Sequence, residues 1–409
     1  MNYSESVQYL YSLGNEVLTA KLGLDRISAL LATLGNPHRA CRWIHVAGTN
    51  GKGSTCAMIE AGLRASGIRT GLYISPHLIE PTERIQIAGQ AVSQEQFAGA
   101  FERVHETAER MVASGALDMH PTYFETVTAM AFVLFAAEKV YMGVLEVGLG
   151  GRLDATNVVT PELFVITPID FDHQIFLGET IEQIAAEKAG ILKPGVPAVF
   201  AEQRPEAEVV LRAHAQGPYT SSREWAITDL AIGSRGSSFC LRGVPITCPL
   251  AGEHQVENAR VAAIALTELG YSTAGIAETH WPARLEHVSE LPEILIDGAH
   301  NPAGIRALVN YIRRFYLGQR RIWIIYGALR DKAVAEMASI LFPLADRLIL
   351  TAPANSRAMP PEDIPAEGSH ITHSVGEAIE LLNQAGPGDV IFIAGSLYLA
   401  GEARALLVK

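Results

Sequence analysis

The feature that most constrains the fold is a short apolar run that ends in a glycine-rich turn. Residues 43–47 read WIHVA, residues 48–55 read GTNGKGST, and an apolar-periodic segment follows. This order predicts a strand, a turn and a helix, which is the context that a phosphate-binding loop requires. Glycines let successive backbone N–H groups face one anion at the positive end of the helix, and Lys52 would supply a mobile charge for the terminal phosphates.

The loop departs at one position from the general pattern G-x-x-x-x-G-K-[ST]. Gly53 directly follows Lys52 where a hydroxyl residue is usual. The hydroxyl that could approach a magnesium ion is then that of Ser54, or it comes from elsewhere in the chain. An ordinary glycine turn between a strand and a helix is the alternative interpretation. Nucleotide binding is favoured because the glycines, the lysine, the hydroxyls and the flanking elements all agree.

Composition limits the classes of protein to consider. The 409 residues carry 44 acidic and 32 basic side chains, a net charge of -12, which argues against a general nucleic-acid footprint. The N-terminus lacks a basic region followed by an apolar run, and no apolar stretch approaches membrane-spanning length. The four cysteines form no C-x-x-C pair and no zinc-site spacing. We therefore expect a cytoplasmic protein with reduced thiols and with neither nucleic acid nor a membrane as a partner. We also expect a monomer.

The spacing of apolar segments predicts an α/β protein with two domains. Residues 3–34 contain two short amphipathic helix patterns, and predicted strands alternate with helices from residue 43 onward. The alternation restarts after a boundary near residues 281–286, and the later part has no phosphate loop. We predict a parallel-sheet ATPase domain with the phosphate-binding loop over residues 1–283, and a smaller C-terminal Rossmann-like α/β domain over residues 284–409.

Polar side chains follow several of the predicted strands. Ser75 and Arg84 come after one strand, Glu146 lies at the end of the next, and His173 follows a third. Ligands collect beyond the carboxyl ends of strands in α/β sheets, so these side chains have an above-average chance of taking part in chemistry. A buried carboxylate is costly unless it is paired or binds a cation, which favours a metal-linked role for Glu146. Each residue alone also fits a turn or, for His173, a structural histidine.

Four further charged residues have structural interpretations when the sequence is taken alone. Asp25 and Arg26, at the start of the second helix pattern, fit a helix cap and a solvated charge. Glu125, in the first turn of an apolar helix, would interact favourably with the helix dipole. Lys188, in the last turn of another helix, would do the same at the opposite end.

Taken together, these motifs resemble the folylpolyglutamate synthase/dihydrofolate synthase family, a branch of the Mur ligase superfamily. The resemblance spans nearly the whole chain in the expected order and includes Gly53, which this branch carries. It rests on residues 48–54, 75–78 with 83–84, 145–157, 172–174 with 177–178, 187–191, 281–286, 297–302 and 395–398.

The resemblance implies an ATP-dependent amide ligase with two Mg²⁺ sites. A pteroate or folate carboxylate would attack the γ-phosphate of ATP to give an acyl phosphate, which the amine of L-glutamate then displaces. Such a transfer calls for magnesium and fixed cations. The substrate would be dihydropteroate or a reduced folate, and whether the enzyme adds the first glutamate, further glutamates or both stays open. A cell-wall Mur-type amino-acid ligase is one alternative, and a nucleotide-binding switch or kinase is another.

The same resemblance implies roles for individual residues. Ser75 and Glu146 would hold one magnesium ion and His173 a second, and Lys188 matches a lysine that is carbamylated in this family. The expected catalytic residues are Lys52, Lys188, His173 and His300, the last near ATP or the incoming glutamate. The expected ATP contacts are Thr49, Asn50, Gly51, Lys52, Gly53, Ser54, Asn258, Arg284 and Asp297. The expected substrate contacts are Asp25, Arg26, Ile27, Arg84, Thr122, Tyr123, Phe124, Glu125, Leu153, Asp154 and Ala155.

Overall fold

The computed structural model describes residues 1–14 and 23–408. The chain divides into two compact units. The first consists of Met1–Thr228, Leu241–Ile246 and Glu257–Glu278, and the second of Asp229–Cys240, Thr247–Val256 and Thr279–Lys409. The chain thus passes between the units several times before residue 279, which a single boundary does not express. A domain boundary after residue 283 remains a prediction.

The first unit is built on a large sheet whose strands are connected mainly by helices. Its central strands are parallel, as predicted, and β3 and β4 extend one edge with antiparallel pairing. The strand order is β4-β3-β2-β5-β1-β6-β7-β8. The elements are α1 Tyr3–Ser12, α2 Asp25–Thr33, β1 Arg42–Ala47, α3 Lys52–Ala65, β2 Thr70–Tyr73, β3 Ile85–Ile87, β4 Gln90–Ala91, α4 Gln94–Ala113, α5 Tyr123–Ala137, β5 Met142–Glu146, β6 Leu163–Ile166, α6 Gln174–Leu177, α7 Ile181–Ala189, β7 Ala198–Phe200, α8 Pro205–His214 and β8 Tyr219–Ser221.

A small sheet and a helix follow along the chain, where the sequence predicts short β segments and a strong helix. The strands are β9 Ile227–Gly233, β10 Gly236–Leu241 and β11 Val244–Cys248, and the helix is α9 Glu253–Glu268. The three strands form a sheet of their own in the order β11-β10-β9.

The second unit contains a six-stranded sheet. Its strand order is β12-β13-β17-β14-β15-β16, and the pairing is parallel except between β12 and β13. The predicted second α/β fold is therefore confirmed, with one antiparallel strand at its edge. The elements are β12 Glu286–Glu290, β13 Glu293–Ile296, α10 Pro302–Phe315, β14 Arg321–Tyr326, α11 Val334–Leu341, β15 Arg347–Leu350, β16 His370–Ile371, α12 Val375–Glu380, β17 Asp389–Ala394 and α13 Leu397–Leu407.

The core of the first unit explains why α5 is apolar on nearly all sides. Trp43 of β1 packs edge to face on Phe132 of α5, with ring centroids 5.2 Å apart. A Cβ atom on Gly143 of β5 would lie 2.2 Å from the Trp43 ring, so only glycine leaves room for the indole. The indole N–H donates to His38 O at 2.7 Å. The sheet and α5 therefore bury a large aromatic group without leaving its polar atom unsatisfied.

The N-terminal helices α1 and α2 confirm two of the shorter predictions. Asn2 and Glu5 form a capping box at the start of α1, because each side chain accepts the other residue's backbone N–H. Residues 15–22 of the predicted two-helix segment lie outside the described residues. No helix in the described ranges combines the length and the apolar character that crossing a membrane needs.

Candidate active site

The glycine-rich turn after β1 has the backbone shape that a phosphate-binding loop needs. Gly48 and Gly51 have positive φ values of 145° and 83°, a region that favours glycine. A Cβ atom on Gly48 would lie 1.9 Å from Thr167 Oγ1, and one on Gly51 would lie 2.2 Å from Asn258 Oδ1. Asn258 therefore lies directly against the loop, as its predicted role in nucleotide binding requires.

The front of this loop is anchored to the segment that follows β6. The backbone N–H groups of Thr49 and Asn50 donate to Pro168 O at 3.0 and 3.3 Å. Thr49 Oγ1 donates to Asp170 O at 3.0 Å and accepts from Asp170 N at 3.1 Å. These two N–H groups therefore hold the loop against the segment after β6. An incoming phosphate would meet the first N–H groups of α3, which have no acceptor within a helix.

Two lysines approach the same loop from different elements. Lys52 Nζ donates to Thr49 O at 3.2 Å, and Lys188 Nζ donates to Gly48 O at 2.7 Å. Lys188 is only 5% exposed. Burial, and then the charge of Lys52, lower the pKa of Lys188 to about 7. Lys188 lies in the last turn of α7, as predicted. Its amine is buried and bonded to the phosphate loop, so interaction with the helix C-terminus alone does not describe its place in the structure.

The strand register brings two of the three predicted magnesium ligands, Ser75 and Glu146, to the same edge. Val46 of β1 pairs with Glu146 of β5, and β5 is also paired with β2. Glu146 is 5% exposed, and its Oε2 accepts the backbone N–H of Ser75 at 3.0 Å. The buried carboxylate that the sequence singles out is thus beside the residue predicted to share its metal ion.

The donors at this edge fit magnesium better than a metal held by side chains alone. Within residues 1–14 and 23–408 no cluster of three or more His, Cys, Asp or Glu side chains has metal-binding geometry. Mg²⁺ usually takes one or two carboxylates together with phosphate oxygens and water, so Glu146 with the Ser75 hydroxyl suits it. His173 precedes α6 with a φ of 51°, and its backbone N–H donates to Asp172 Oδ1 at 2.9 Å.

A second glycine-rich loop follows Glu146 and is organised by Asp154. Asp154 Oδ2 accepts the backbone N–H groups of Gly148 and Leu149 at 3.0 and 2.9 Å. Burial raises the pKa of the Asp154 carboxyl, although its hydrogen bonds act in the opposite direction. A Cβ atom on Gly151 would lie 2.8 Å from Glu187 O and 3.0 Å from Lys188 O. This loop, which follows β5, therefore packs closely against the end of α7.

The predicted substrate side contains a buried ion pair. Arg26 Nε lies 2.9 Å from Glu125 Oε2, with side-chain exposures of 12% and 5%. Glu125 also forms a capping box with Thr122 at the start of α5. The interpretation of Arg26 as a solvated charge is therefore wrong, and Asp25 is the first residue of α2 rather than its cap, which is Leu24.

A cluster next to this ion pair includes Tyr11, which was absent from the sequence predictions. Arg84 is 2% exposed, donates from Nε to His77 Nδ1 at 2.8 Å, and has its guanidinium 5.2 Å from the Tyr123 ring centre. Burial, and then the Arg84 charge, lower the pKa of His77 to about 3. The neutral His77 then carries its hydrogen on Nε2 and donates to the Tyr11 hydroxyl, 3.3 Å away. Tyr11 stacks on Tyr123 with ring centres 6.0 Å apart.

The remaining predicted substrate contacts are of two kinds. Phe124 lies against the second glycine loop, where a Cβ atom on Gly148 would be 2.5 Å from its ring. Leu153 is half-buried, in the turn before Asp154. Ile27 and Ala155 instead belong to the hydrophobic core, so their side chains serve packing and only their backbone could face a ligand.

The predicted residues of the second unit form a compact set of their own. The two oxygens of Asp297 accept the backbone N–H groups of Leu285 and Ala299, both at 2.9 Å. A Cβ atom on Gly298 would lie 2.3 Å from Arg284 Nη1. His300 Nδ1 lies 2.8 Å from the carbonyl oxygen of Gly298. Arg284, Asp297 and His300 are therefore brought together, although the prediction placed them on two motifs.

Comparison with known proteins agrees with this geometry. Two family models match, the Mur ligase middle domain over residues 46–266 and the Mur ligase glutamate ligase domain over residues 283–397. The folylpolyglutamate synthase of Lacticaseibacillus casei is 36% identical over 100% of this chain and 99% of its own. The dihydrofolate synthase/folylpolyglutamate synthase of Bacillus subtilis (strain 168) is 35% identical over 94% of each chain. The structure of Escherichia coli FolC in complex with DHPP and ADP has a TM-score of 0.88 at 29% identity, covering 99% of this chain and 97% of that one.

The phosphate loop, the second α/β unit and both family models define an ATP-dependent ligase of the Mur type. The relatives named above do not favour the alternative of a cell-wall ligase. The chain belongs to the folylpolyglutamate synthase/dihydrofolate synthase family.

Proposed function

We propose that this chain joins L-glutamate to the carboxylate of dihydropteroate, of a reduced folate, or of both, with ATP as the energy source. The observation that carries the proposal is the meeting of the phosphate loop, Lys188 and Glu146 at one sheet edge. The names of the relatives and the FolC complex with DHPP and ADP support the substrate class. We also propose that the protein acts as a cytoplasmic monomer.

The residues of the phosphate loop account for the first half-reaction. The N-terminus of α3 and the charge of Lys52 would hold the terminal phosphates of ATP while the pteroate or folate carboxylate attacks the γ-phosphorus. Negative charge spreads over the transferred group in the transition state, so a fixed cation there lowers the barrier. Gly48 and Gly51 allow the backbone to approach the phosphates, and Asn258 supports the loop from the side.

Metal ions belong to the proposed site. Ser75 and Glu146 would hold one Mg²⁺ and His173 a second, and magnesium would neutralise charge on the phosphate oxygens when bound. The neutral amine of Lys188 is the form that reacts with CO₂, and its lowered pKa favours that form at neutral pH. We propose that Lys188 is carbamylated and that its carboxylate-like product serves the metal site.

We propose a separate set of substrate contacts in each unit of the chain. Arg26, Glu125, Tyr123 and Phe124 in the first unit offer the charged and aromatic groups that a pterin and its benzoyl group would need. Arg284, Asp297 and His300 in the second unit are the proposed contacts for ATP or the incoming glutamate.

The most informative experiment measures ATP-dependent incorporation of labelled glutamate, with dihydropteroate and a reduced folate compared side by side. Incorporation with either substrate supports the ligase, and the ratio of the two rates states which reaction dominates. A UDP-muramoyl substrate in a third reaction tests the cell-wall alternative. ATP hydrolysis that is independent of both carboxylate and amine would instead indicate a nucleotide-binding switch or kinase.

The metal assignment has its own test. Glu146→Gln keeps an acceptor for the Ser75 N–H but removes the charge, so ligation should fall by about 100-fold or more, with partial recovery at raised magnesium. Glu60→Gln is the matched control, because Glu60 is also a buried glutamate of this unit and bonds Thr70 and Arg64 instead. Equal activity of the two variants would remove Glu146 from the metal site.

A further inference from the structure

Three buried polar side chains, His45, Thr156 and Asp154, form a hydrogen-bonded series that starts on β1, the strand before the phosphate loop. His45 of β1 is fully buried, and its Nε2 lies 2.8 Å from Thr156 Oγ1. Thr156 Oγ1 in turn donates to Asp154 Oδ1 at 2.5 Å. His45 and Thr156 have no part in the ligase function proposed above, and both are too deeply buried to contact a ligand from solvent.

The acceptors of this series determine where its hydrogens lie. Burial raises the pKa of the Asp154 carboxyl, and its hydrogen bonds oppose that change. Three backbone N–H groups of its own loop also donate to Asp154, an arrangement in which both oxygens accept, as in an ionised carboxylate. Thr156 therefore donates its single hydroxyl hydrogen to Asp154 and accepts a hydrogen bond from His45. His45 is thus a neutral imidazole with its hydrogen on Nε2. Its Nδ1 has no hydrogen-bond partner among the residues that the structure describes.

The Asp154 end of this hydrogen-bonded series lies near both Glu146 and Lys188 along the backbone. The N–H groups held by Asp154 belong to Gly148 and Leu149, which follow shortly after Glu146. Asn157, next to Thr156, donates from Nδ2 to Gly190 O at 3.2 Å, two residues beyond Lys188. One hydrogen-bonded network therefore supports the backbone around the proposed metal ligand and around the buried lysine.

We propose that His45 is a positioning residue of the ligase: by donating to Thr156 it fixes Asp154 and the loop after Glu146, and so sets Glu146 and Lys188 in place for phosphoryl transfer. This inference rests on the proposed function, because the ligase reaction is the activity in which the effect of His45 is measured. Burial, and then the charge of Lys193, lower the pKa of His45 to about 3, so the donor stays in one state at physiological pH.

The test compares variants that remove a hydrogen bond with variants that keep it. His45→Met and Thr156→Val should each lower kcat by about 10- to 100-fold, with the KM for ATP changed by less than about threefold. His45→Gln places an amide donor near the Nε2 position and Thr156→Ser keeps the hydroxyl, so both should retain most of the activity. The double variant His45→Met/Thr156→Val should be no slower than the worse single variant, because both act through one network.

Thr107→Val is the matched control, because Thr107 is a buried threonine of α4 whose hydroxyl donates to Arg103 O and accepts from Arg110 Nη2, both within its own helix. It should leave kcat unchanged at a similar loss of melting temperature. A merely structural role for His45 predicts the opposite pattern: losses that follow melting temperature, equal effects of Met and Gln, and additive single variants. That pattern would overturn the proposal, and Thr156→Val decides the matter if the His45 variants do not fold.

A second measurement does not depend on ligase activity. In protein labelled with ¹⁵N-histidine, the signal lost in His45→Gln identifies His45, and its two nitrogen shifts report the tautomer. We expect the Nε2–H tautomer to persist from about pH 5 to pH 8. A hydrogen on Nδ1, or an imidazolium in this range, would refute the network even if the ligase reaction is confirmed. An absent ligase reaction with the expected tautomer would instead count against the proposed function alone.

Discussion

The phosphate loop after β1 and the second glycine loop after β5 start side by side on paired strands and use their backbones differently. In the phosphate loop, residues 48–51 lead into the N-terminus of α3, where helical N–H groups face outward to an anion. In the second loop, the carboxylate of Asp154 accepts the N–H groups of Gly148 and Leu149. The second loop thus contains its own anion, whereas the first is built to receive one from a ligand.

The two neighbouring loops therefore have different tasks: the phosphate loop binds a ligand, and the second loop supports the residues around it. A loop whose N–H groups are satisfied internally gains rigidity and does not need a ligand to order it. The second loop therefore suits the task of holding Glu146 and the end of α7. The phosphate loop ends in a half-buried lysine, Lys52, whose Nζ donates to the carbonyl oxygen of Thr49. Substitutions at four positions, Lys52, Lys188, Gly51 and Gly148, test this division.

The largest effect is expected at Lys52. Lys52→Ala removes the cation beside the transferred phosphoryl group, so kcat should fall by about 10²- to 10³-fold while the fold is kept. Lys139→Ala is the control, because Lys139 is an exposed lysine of the same unit. Steady-state ligation and circular dichroism measure the two properties. Near-normal turnover in a folded Lys52→Ala protein would end the assignment of this loop to ATP.

Lys188→Ala is expected to be nearly inactive. If a carbamate on Lys188 serves the metal site, acetate or formate should partly restore activity by replacing the lost carboxylate. The same anions should not restore Lys52→Ala, where a cation has been lost. Failure of both carboxylates to rescue, at any concentration that the wild type tolerates, would leave Lys188 as an amine that acts only through its bond to Gly48.

The buried amine of Lys188 also predicts a pH dependence of stability. Its pKa is about 7 in the folded chain against an ordinary value of 10.5, so the unfolded chain binds the proton more tightly between these values. Wild-type stability should therefore rise with pH across this window. Lys188→Met lacks the term, so it should be the more stable protein at pH 7 and lose that advantage as the pH rises. Melting curves in CO₂-free buffer measure the difference, and a constant difference would contradict the lowered pKa.

The contrast between local and distant contacts explains how much the sequence could predict. The phosphate loop, the strand ends and the alternation of elements are written in neighbouring residues, and all were predicted. The bond between Lys188 and Gly48 joins residues 140 positions apart, and the pair of Arg26 with Glu125 joins residues 99 apart. The first depends on how α7 packs beside the phosphate loop, and the second on how α2 packs against α5. Periodicity does not report that packing, so Arg26 was wrongly assigned to solvent, and the bond of Lys188 to the phosphate loop was not predicted.

A smaller effect is expected for Gly51→Ala, with Gly67→Ala as its matched control. The two glycines flank the ends of α3 with φ values of 83° and 79°, so each substitution should cost about 1 kcal/mol of stability through backbone strain. Only the Cβ atom at position 51 would meet Asn258, since Gly67 has no atom within 4 Å. Calorimetry should show a loss of about 10- to 100-fold in ATP affinity for Gly51→Ala alone. Equal affinities would mean that the loop binds no nucleotide.

The smallest effect is expected in the second loop, at Gly148. An alanine Cβ there would lie 2.5 Å from the Phe124 ring, so the ring must shift, and about 1 kcal/mol of lost substrate contact corresponds to a roughly fivefold higher KM for the pteroate or folate substrate. The KM for ATP should stay unchanged, because Asp154 still accepts the backbone N–H at this position. Gly99→Ala, which has open space on α4, is the control and should alter neither constant. A rise in the KM for ATP in Gly148→Ala would show that the two loops do not divide their tasks, and that the second loop also shapes the phosphate site.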